Sequence, residues 1–248
     1  MPAARESLLD AAYKALTTRA WAAVRMVDVA AAAGVSRQTL YNEFGSKEGL
    51  ARALVRRETE RYLQGVDRVL RQAGPAPEAA AARDAAAGRV VAAAAWTLRT
   101  ARANPLVRAA LTGCWSDRLP PPPGAPPRGG RPGLPGQRAV PSAERPLPGP
   151  GELVGRFCDR AVAALGPDWP QEELPALGAA CETAARLTLS CVVAPAAPGA
   201  WTADGPEARP SVTGSPAQAR REAEADAVSR LVRGAFARLP GGEPVRPG

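Results

Sequence analysis

Hydrophobic residues in this chain recur three and four positions apart, the spacing of one face of an α-helix. In the first segment, Leu8, Leu9, Ala12, Ala15 and Leu16 share such a face. Runs that alternate apolar and polar residues, as half-buried strands do, are nearly absent. Ala, Leu, Arg and Glu, which favour helices, dominate the composition. The pattern predicts an all-α protein.

The periodicity, together with breaks at Gly and Pro, predicts the positions of individual helices. We expect helices at about 5–19, 26–33, 37–44, 47–71, 78–103, 106–113, 152–165, 171–193 and 216–239. Gly34 and Gly45 end the second and third helices, as Gly often does just past a helix terminus. Ser36 and Ser46 stand at the N-cap positions of the third and fourth.

Changes in composition suggest how the chain is divided. The short helices predict an N-terminal domain over residues 1–46, followed by a helical domain over 47–239. Within the second domain, residues 119–151 are dominated by Pro and Gly, so we expect a disordered insertion there. The helical pattern resumes directly afterwards, so this segment interrupts one domain. Residues 195–215 predict a loop, and 240–248 a flexible tail.

The chain is basic, with 32 Lys and Arg against 24 Asp and Glu and a formal net charge of +8. Two explanations stay open: attraction to nucleic acid or another anionic surface, and an Arg- and Ala-rich composition that reflects a GC-rich coding sequence. A DNA-binding role must therefore rest on a motif. No run of about 18 apolar residues and no signal-peptide pattern is visible, so we expect a cytoplasmic protein without a membrane partner.

The candidate chemistry is sparse. The chain has no His, and its four cysteines, Cys114, Cys158, Cys181 and Cys191, lack C-x-x-C spacing. We therefore expect no metal site and no cofactor. His-dependent nucleophile triads and His general bases are excluded, and no Gly-rich phosphate loop follows a strand, so we expect no enzyme. Small buried thiols are the expected role of the cysteines, with redox sensing as an alternative.

The N-terminal segment has the layout of a trihelical DNA-binding domain: a helix, a short helix, a tight turn and another short helix. Ala30 is small enough for two helices to cross closely, and Gly34 suits the turn. Ser36 caps the next helix and belongs to the candidate DNA-binding residues, because the capped N-terminus can face a phosphate or a base edge. Polar residues lie on the outward side of that third helix: Arg37, Gln38, Thr39 and Asn42. Gln38 can bond adenine and Arg37 can bond guanine, although either could hold a phosphate instead.

The run V-x-V-A-A-A-A-G-V-S-R-Q-T-L-Y-N-E-F-G-S-K-E-G-L, from Val27 to Leu50, resembles the signature of the tetracycline-repressor (TetR) family of bacterial regulators. The resemblance covers about residues 5–60. It implies a homodimeric repressor bound to a palindromic operator in double-stranded DNA. It also implies a second, helical domain that binds a small-molecule effector and releases the DNA.

The same resemblance assigns roles to single residues. Tyr41 and Lys47 would contact backbone phosphates, while Arg37, Gln38, Thr39 and Asn42 would be the candidate base readers. Similar proteins usually have Thr or Ser where Arg25 stands, capping the second helix and touching a phosphate. Arg25 cannot cap a helix, but its guanidinium could reach a phosphate itself.

Later helices resemble the effector domain of the family more faintly. Candidate pocket residues are Trp96, Arg99, Leu111, Trp115, Phe157, Cys158 and Thr188. Their mostly apolar character favours an apolar or lightly polar effector. Candidate dimer-interface residues are Leu174, Leu177, Cys181, Leu231, Ala235 and Phe236, and the alternative for each is the core of one protomer.

The expected mechanism places the fourth helix between the two domains, so that effector binding tilts it and changes the spacing of the two recognition helices. Two alternatives stay open for the function. The protein could activate transcription instead of repressing it, or it could respond to oxidants through its thiols.

Overall fold

A computed structural model of the protein describes residues 2–72, 79–121, 147–195 and 216–237. Within these ranges the regular structure consists of helices alone, so the predicted all-α fold is confirmed. The α-helices are α1 (Pro2–Thr18), α2 (Met26–Ala32), α3 (Arg37–Phe44), α4 (Lys47–Arg71), α5 (Ala79–Ala103), α6 (Pro105–Thr112), α7 (Pro150–Leu165), α8 (Leu174–Val193) and α9 (Pro216–Phe236). Short 3₁₀ turns occupy Trp21–Ala23, Gly166–Asp168 and Gln171–Glu173.

Most helix boundaries lie within three residues of their predicted positions. The start of α8 illustrates why small differences remain. The apolar pattern begins at residue 171, but Gln171–Glu173 forms a 3₁₀ turn and the α-helix starts at Leu174, with Pro175 in its first turn. A proline near the N-terminus of a helix loses no intrahelical hydrogen bond, whereas a proline further inside would break one.

The chain divides into two compact units that are both discontinuous in sequence. The first contains Met1–Glu60 and Pro105–Gly149, and the second contains Arg61–Asn104 and Pro150–Gly248. The helix α4 therefore contributes residues to both units, whereas the predicted boundary lies at residue 46. The first unit extends further because Leu50, Leu54 and other residues of α4 are buried in its core.

The core of the first unit joins α1, α2, α3 and the first half of α4. Leu8, Leu40 and Leu50 are completely buried in it. Burying a leucine side chain contributes roughly 1.5–3 kcal/mol, so these three hold the helices together. Residues distant in sequence complete this core, since Leu106 of α6 and Leu147 are also buried there.

In the second unit α8 packs against α5, α7 and α9. Each of these helices contributes a buried residue: Val90 from α5, Leu153 from α7, Leu177 from α8 and Val232 from α9. One helical stretch in the described residues, Gln171–Val193, is long and apolar enough to cross a membrane by length and composition alone. Since 44% of its apolar part is buried inside the unit, we assign it to the core.

Several segments predicted to be irregular lie mostly outside the described residues: the centre of the insertion over 119–151, the loop over 195–215 and the tail over 240–248. The described ends of the insertion are ordered. Leu119 packs against the core of the first unit, Leu147 is buried in it, and α7 already begins at Pro150.

Candidate nucleic-acid interface

The turn between α2 and α3 is built on backbone geometry that its sequence permits. Gly34 has φ of +68°, in the left-handed region that residues with a Cβ rarely adopt. The amide of Val35 donates to the carbonyl of Ala30 across the turn, at 3.1 Å. Ser36 then caps α3: its Oγ accepts a hydrogen bond from the amide of Thr39 at 3.0 Å. The predicted N-cap is thus present.

The outward face of α3 presents the hydrogen-bonding side chains that the sequence placed there. Leu40 is completely buried, whereas Arg37, Gln38 and Asn42 are exposed. The Nε2 of Gln38 donates to the Oδ1 of Asn42 at 2.8 Å, so the two amides stand together one helical turn apart. Amide side chains are the usual partners of adenine in the major groove.

Two further candidate DNA contacts on α3 differ in how accessible they are. Tyr41 is 36% exposed, and the guanidinium of Arg37 lies 5.6 Å from the centre of its ring, which is cation–π distance. Thr39 is half-buried, and its hydroxyl lies 2.9 Å from the Oγ of Ser36. Among the four candidate base readers, Thr39 is therefore the one already engaged in the local capping structure.

Arg25 stands at the N-cap of α2 and makes no side-chain cap, as expected. Its Nε and Nη2 instead donate to the two carboxylate oxygens of Asp28, each at 3.2 Å. Arg19 donates to the same carboxylate at 3.3 Å. These interactions, first of all the hydrogen bonds from Arg25, lower the pKa of Asp28 below its usual value. The carboxylate thus holds two guanidiniums at the start of α2.

Lys47, at the start of α4, is part of the scaffold of the first unit. Its ammonium donates to the carbonyl of Ala22 at 3.1 Å and lies 5.6 Å from the ring centre of Trp21. Burial lowers the pKa of Lys47. An ammonium has three donors. The contact with Ala22 uses one of them and fixes where the charge stands.

The corner between α3 and α4 depends on glycine at two positions, at Gly45 for its backbone conformation and at Gly49 for space. Gly45 has φ of +69°, and Ser46 caps α4 by accepting from the amide of Gly49 at 3.1 Å. At Gly49 an added Cβ would overlap the carbonyl oxygen of Phe44. The close contact between the end of α3 and the first turn of α4 therefore requires glycine at position 49.

Sequence reasoning assigned no role to Asp28 or to the close approach at Gly49. A signal for Asp28 existed, because an acid three residues after Arg25 on a helix is well spaced for an ion pair. The approach at Gly49 depends on how two helices meet, which periodicity does not report.

The predicted pocket residues are divided between the two units. Trp96, Arg99, Phe157, Cys158 and Thr188 belong to the second unit, whereas Leu111 and Trp115 belong to the first. The indole of Trp96 donates to the carbonyl of Tyr62 at 3.2 Å, and Phe157 and Thr188 are buried. Of these five residues of the second unit, Arg99, which is exposed, also lines a cavity between α5 and α9.

The predicted dimer-interface residues differ in burial within one protomer. Leu177 and Cys181 are completely buried and Phe236 is nearly so. Leu174 and Ala235 are half-buried, and Leu231 is 39% exposed. Of this set, Leu231 offers the most surface to a second copy. Leu177, Cys181 and Phe236 lie in the core of one protomer, which is the alternative predicted for each of them.

Two thiols of the second unit, Cys158 of α7 and Cys181 of α8, are poorly suited to redox chemistry. Burial raises the pKa of Cys158 to about 11, with a further contribution from Glu182. Burial, followed by the proximity of Cys158, raises the pKa of Cys181 to about 12. Since the thiolate is the reactive form, these two cysteines are held in the inert state. Within the described residues, no three or more Cys, Asp or Glu side chains are grouped as metal ligands.

Comparison with known proteins agrees with this geometry. Residues 8–54 match the family model of bacterial regulatory proteins, tetR family. HTH-type transcriptional regulator AlkX of Mycobacterium tuberculosis (strain H37Rv) is 52% identical over 62 residues, which are 25% of this chain and 29% of that protein. An uncharacterized HTH-type transcriptional regulator of M. tuberculosis (strain CDC 1551) is 48% identical over 58 residues, 23% of this chain and 29% of that protein. The matches thus span less than a third of the length of these relatives.

Solved structures of the same kind cover more of the chain with less similarity. The TetR family repressor AlkX from Dietzia sp. strain DQ12-45-1b is 20% identical, with a TM-score of 0.46 over 95% of this chain and 98% of that one. A TetR transcriptional regulator from Rhodococcus sp. RHA1 is 21% identical, with a TM-score of 0.44 over 97% of this chain and 99% of that one.

Proposed function

We propose that the chain is a sequence-specific DNA-binding regulator of transcription of the tetR family, whose model matches residues 8–54. The observation that carries the proposal is α3 itself. A capped helix buries Leu40 and exposes Arg37, Gln38 and Asn42. A short helix with exposed hydrogen-bonding groups on a packed base is the element that enters a major groove.

We divide the DNA contacts by chemistry. Gln38, Asn42 and Arg37 read base edges, because amides pair with adenine and a guanidinium pairs with guanine. Tyr41 and Lys47 contact phosphates, and Arg25 adds a guanidinium at the start of α2. Thr39 and Ser36 act mainly by holding the first turn of α3. Phosphate contacts position the helix, whereas base contacts give the specificity.

The finer proposal is a cytoplasmic homodimer that represses transcription from a palindromic operator. Two copies of α3 related by two-fold symmetry would read two half-sites about one helical turn apart. A small-molecule effector would bind among the helices of the second unit and weaken DNA binding. The helix α4 is the natural carrier of this signal, because residues of both units lie on it.

The first test is selection of bound duplexes from a random library at fixed salt, because affinity for DNA depends on salt. The wild type should recover a palindrome. The double substitution Arg37→Ala with Gln38→Ala should lose the consensus, weakening binding to it by roughly tenfold to a hundredfold. Tyr41→Phe removes only a donor to phosphate, so it should weaken binding to all duplexes equally and leave the consensus unchanged.

The matched control is Gln64→Ala, which removes an exposed glutamine from α4 in the second unit. This variant should recover the wild-type consensus with unchanged affinity. Failure of the wild type to recover any consensus would contradict sequence-specific binding. Equal binding by the double variant and the wild type would show that α3 is not the reading helix.

Repression and activation differ in the consequence of binding. With the selected palindrome placed over a promoter, we expect the protein to lower transcription in a purified system. Increased transcription would instead show an activator. The thiol-responsive alternative is disfavoured at Cys158 and Cys181 by their raised pKa values.

A further inference from the structure

The second unit contains a cavity of about 430 Å³ between α5 and α9. This volume is within the range of sites that hold small organic molecules. Its lining is divided in character. Ala95, Leu98 and Ala225 supply apolar surface, and Leu98 is almost completely buried. Three arginines supply positively charged groups to the same lining: Arg99, Arg102 and Arg221.

The positive charges of the three guanidiniums are balanced by acids only in part. Arg102 forms an ion pair with Glu224, a carboxylate that is 4% exposed. Within the part of the chain that the structure describes, neither Arg99 nor Arg221 has a carboxylate within 4.0 Å. Arg99 comes from α5 and Arg221 from α9, so two unbalanced positive charges approach one cavity from two helices. Like charges that face a shared space repel each other, and an anion between them would relieve that repulsion.

We propose that this cavity binds a small carboxylate whose apolar body lies against Leu98 and the alanines. Arginine recognises carboxylates through two parallel hydrogen bonds, which gives geometric selectivity as well as attraction. The apolar lining provides a place for a short hydrocarbon chain but no partner for further polar groups. This ligand class goes beyond the DNA-binding function and differs from the apolar or lightly polar effector expected from the sequence. The site does not depend on DNA binding.

The test uses the full-length chain and isothermal titration calorimetry with octanoate, and with octanol as its neutral counterpart. Octanoate should bind the wild type, and octanol should bind at least about tenfold more weakly because it lacks the charge that the guanidiniums recognise. The double substitution Arg99→Gln with Arg221→Gln should weaken octanoate binding by about tenfold or more. The control Arg230→Gln removes an exposed arginine of α9 that does not line the cavity, and it should bind octanoate as the wild type does.

Three outcomes would overturn the proposal. Octanol could bind as tightly as octanoate, the double variant could bind octanoate like the wild type, or octanoate could fail to bind at all. Equal melting temperatures for both variants and the wild type would show that any loss is not caused by unfolding. In the absence of octanoate the double variant should bind the selected duplex normally. A loss of DNA binding by the wild type would therefore count against the proposed function and not against this site.

Discussion

At Gly49 the backbone of the α3–α4 corner allows no side chain. We expect Gly49→Ala to lower the free energy of unfolding by about 2 kcal/mol or more, because the added Cβ would overlap the carbonyl oxygen of Phe44. A backbone atom cannot rotate away as a flexible side chain can, so the two helices must separate. The decrease should appear in urea denaturation followed by circular dichroism.

The matched control for this prediction is Gly155→Ala. Gly155 lies inside α7, and an added Cβ there has no atom within 4 Å. Alanine is preferred over glycine in a helix interior by roughly 0.5–1 kcal/mol, so this variant should be slightly stabilised. Equal effects of the two substitutions would show that the close contact at Gly49 does not limit packing.

At the scale of elements, the cap of α3 fixes where the reading helix begins. Replacing Ser36 by Ala removes the acceptor for the amide of Thr39 and the contact between the two hydroxyls. We expect a loss of about 0.5–2 kcal/mol in the free energy of unfolding. We also expect weaker binding to the selected duplex, because Arg37 and Gln38 lie in the turn that the cap holds.

Ser7→Ala supplies the comparison within the same unit. The Ser7 hydroxyl bonds the carbonyl of Ala3 in the interior of α1, where alanine is a good substitute. Its effect on unfolding should stay within about 0.5 kcal/mol, with DNA binding unchanged. The capping argument fails if Ser7→Ala and Ser36→Ala prove indistinguishable in both measurements.

The helices could be predicted from the sequence because their signals are local. Apolar spacing, Gly34 and Gly45 after helix ends, and Ser36 before α3 are all properties of neighbouring residues. The same holds for the outward face of α3. The contact of Lys47 with Ala22, 25 residues earlier, depends on how elements meet in space. A local pattern carries no information about such a contact.

At the scale of the whole molecule, the division into units was the least predictable feature. The run of short helices predicts a boundary at residue 46, yet buried residues of α4 and α6 belong to a first unit that extends beyond it. Membership of a core is decided by packing between distant segments, as with Leu106 and Leu147. The division of the predicted pocket residues between the two units has the same cause, since apolar character alone does not decide to which unit a side chain belongs.

The interior of the second unit should also set how the molecule responds to alkali. The hydroxyl of Tyr62 lies 3.1 Å from the Oγ1 of Thr97. Because the Thr97 hydroxyl donates its proton to the carbonyl of Ala93, Tyr62 is the donor in the bond between the two hydroxyls. Burial raises the pKa of Tyr62 to about 12 from its usual value of 10. The folded state therefore favours the neutral phenol.

This raised pKa makes stability depend on pH in one direction. Below pH 10 the phenol is protonated in both the folded and the unfolded chain, so its contribution is fully present. As pH rises from 10 towards 12, the unfolded chain loses the proton first, and the free energy of unfolding should fall by about 2–3 kcal/mol. Urea denaturation at a series of pH values measures this fall.

Replacing Tyr62 by Phe separates this residue from all other groups that titrate in alkali. At neutral pH the variant should lose about 1 kcal/mol with the hydrogen bond to Thr97. Between pH 10 and 12 it should lose less stability than the wild type, because phenylalanine has no proton to release. If Tyr62→Phe keeps the pH profile of the wild type, the alkaline fall arises elsewhere and the buried phenol does not control it.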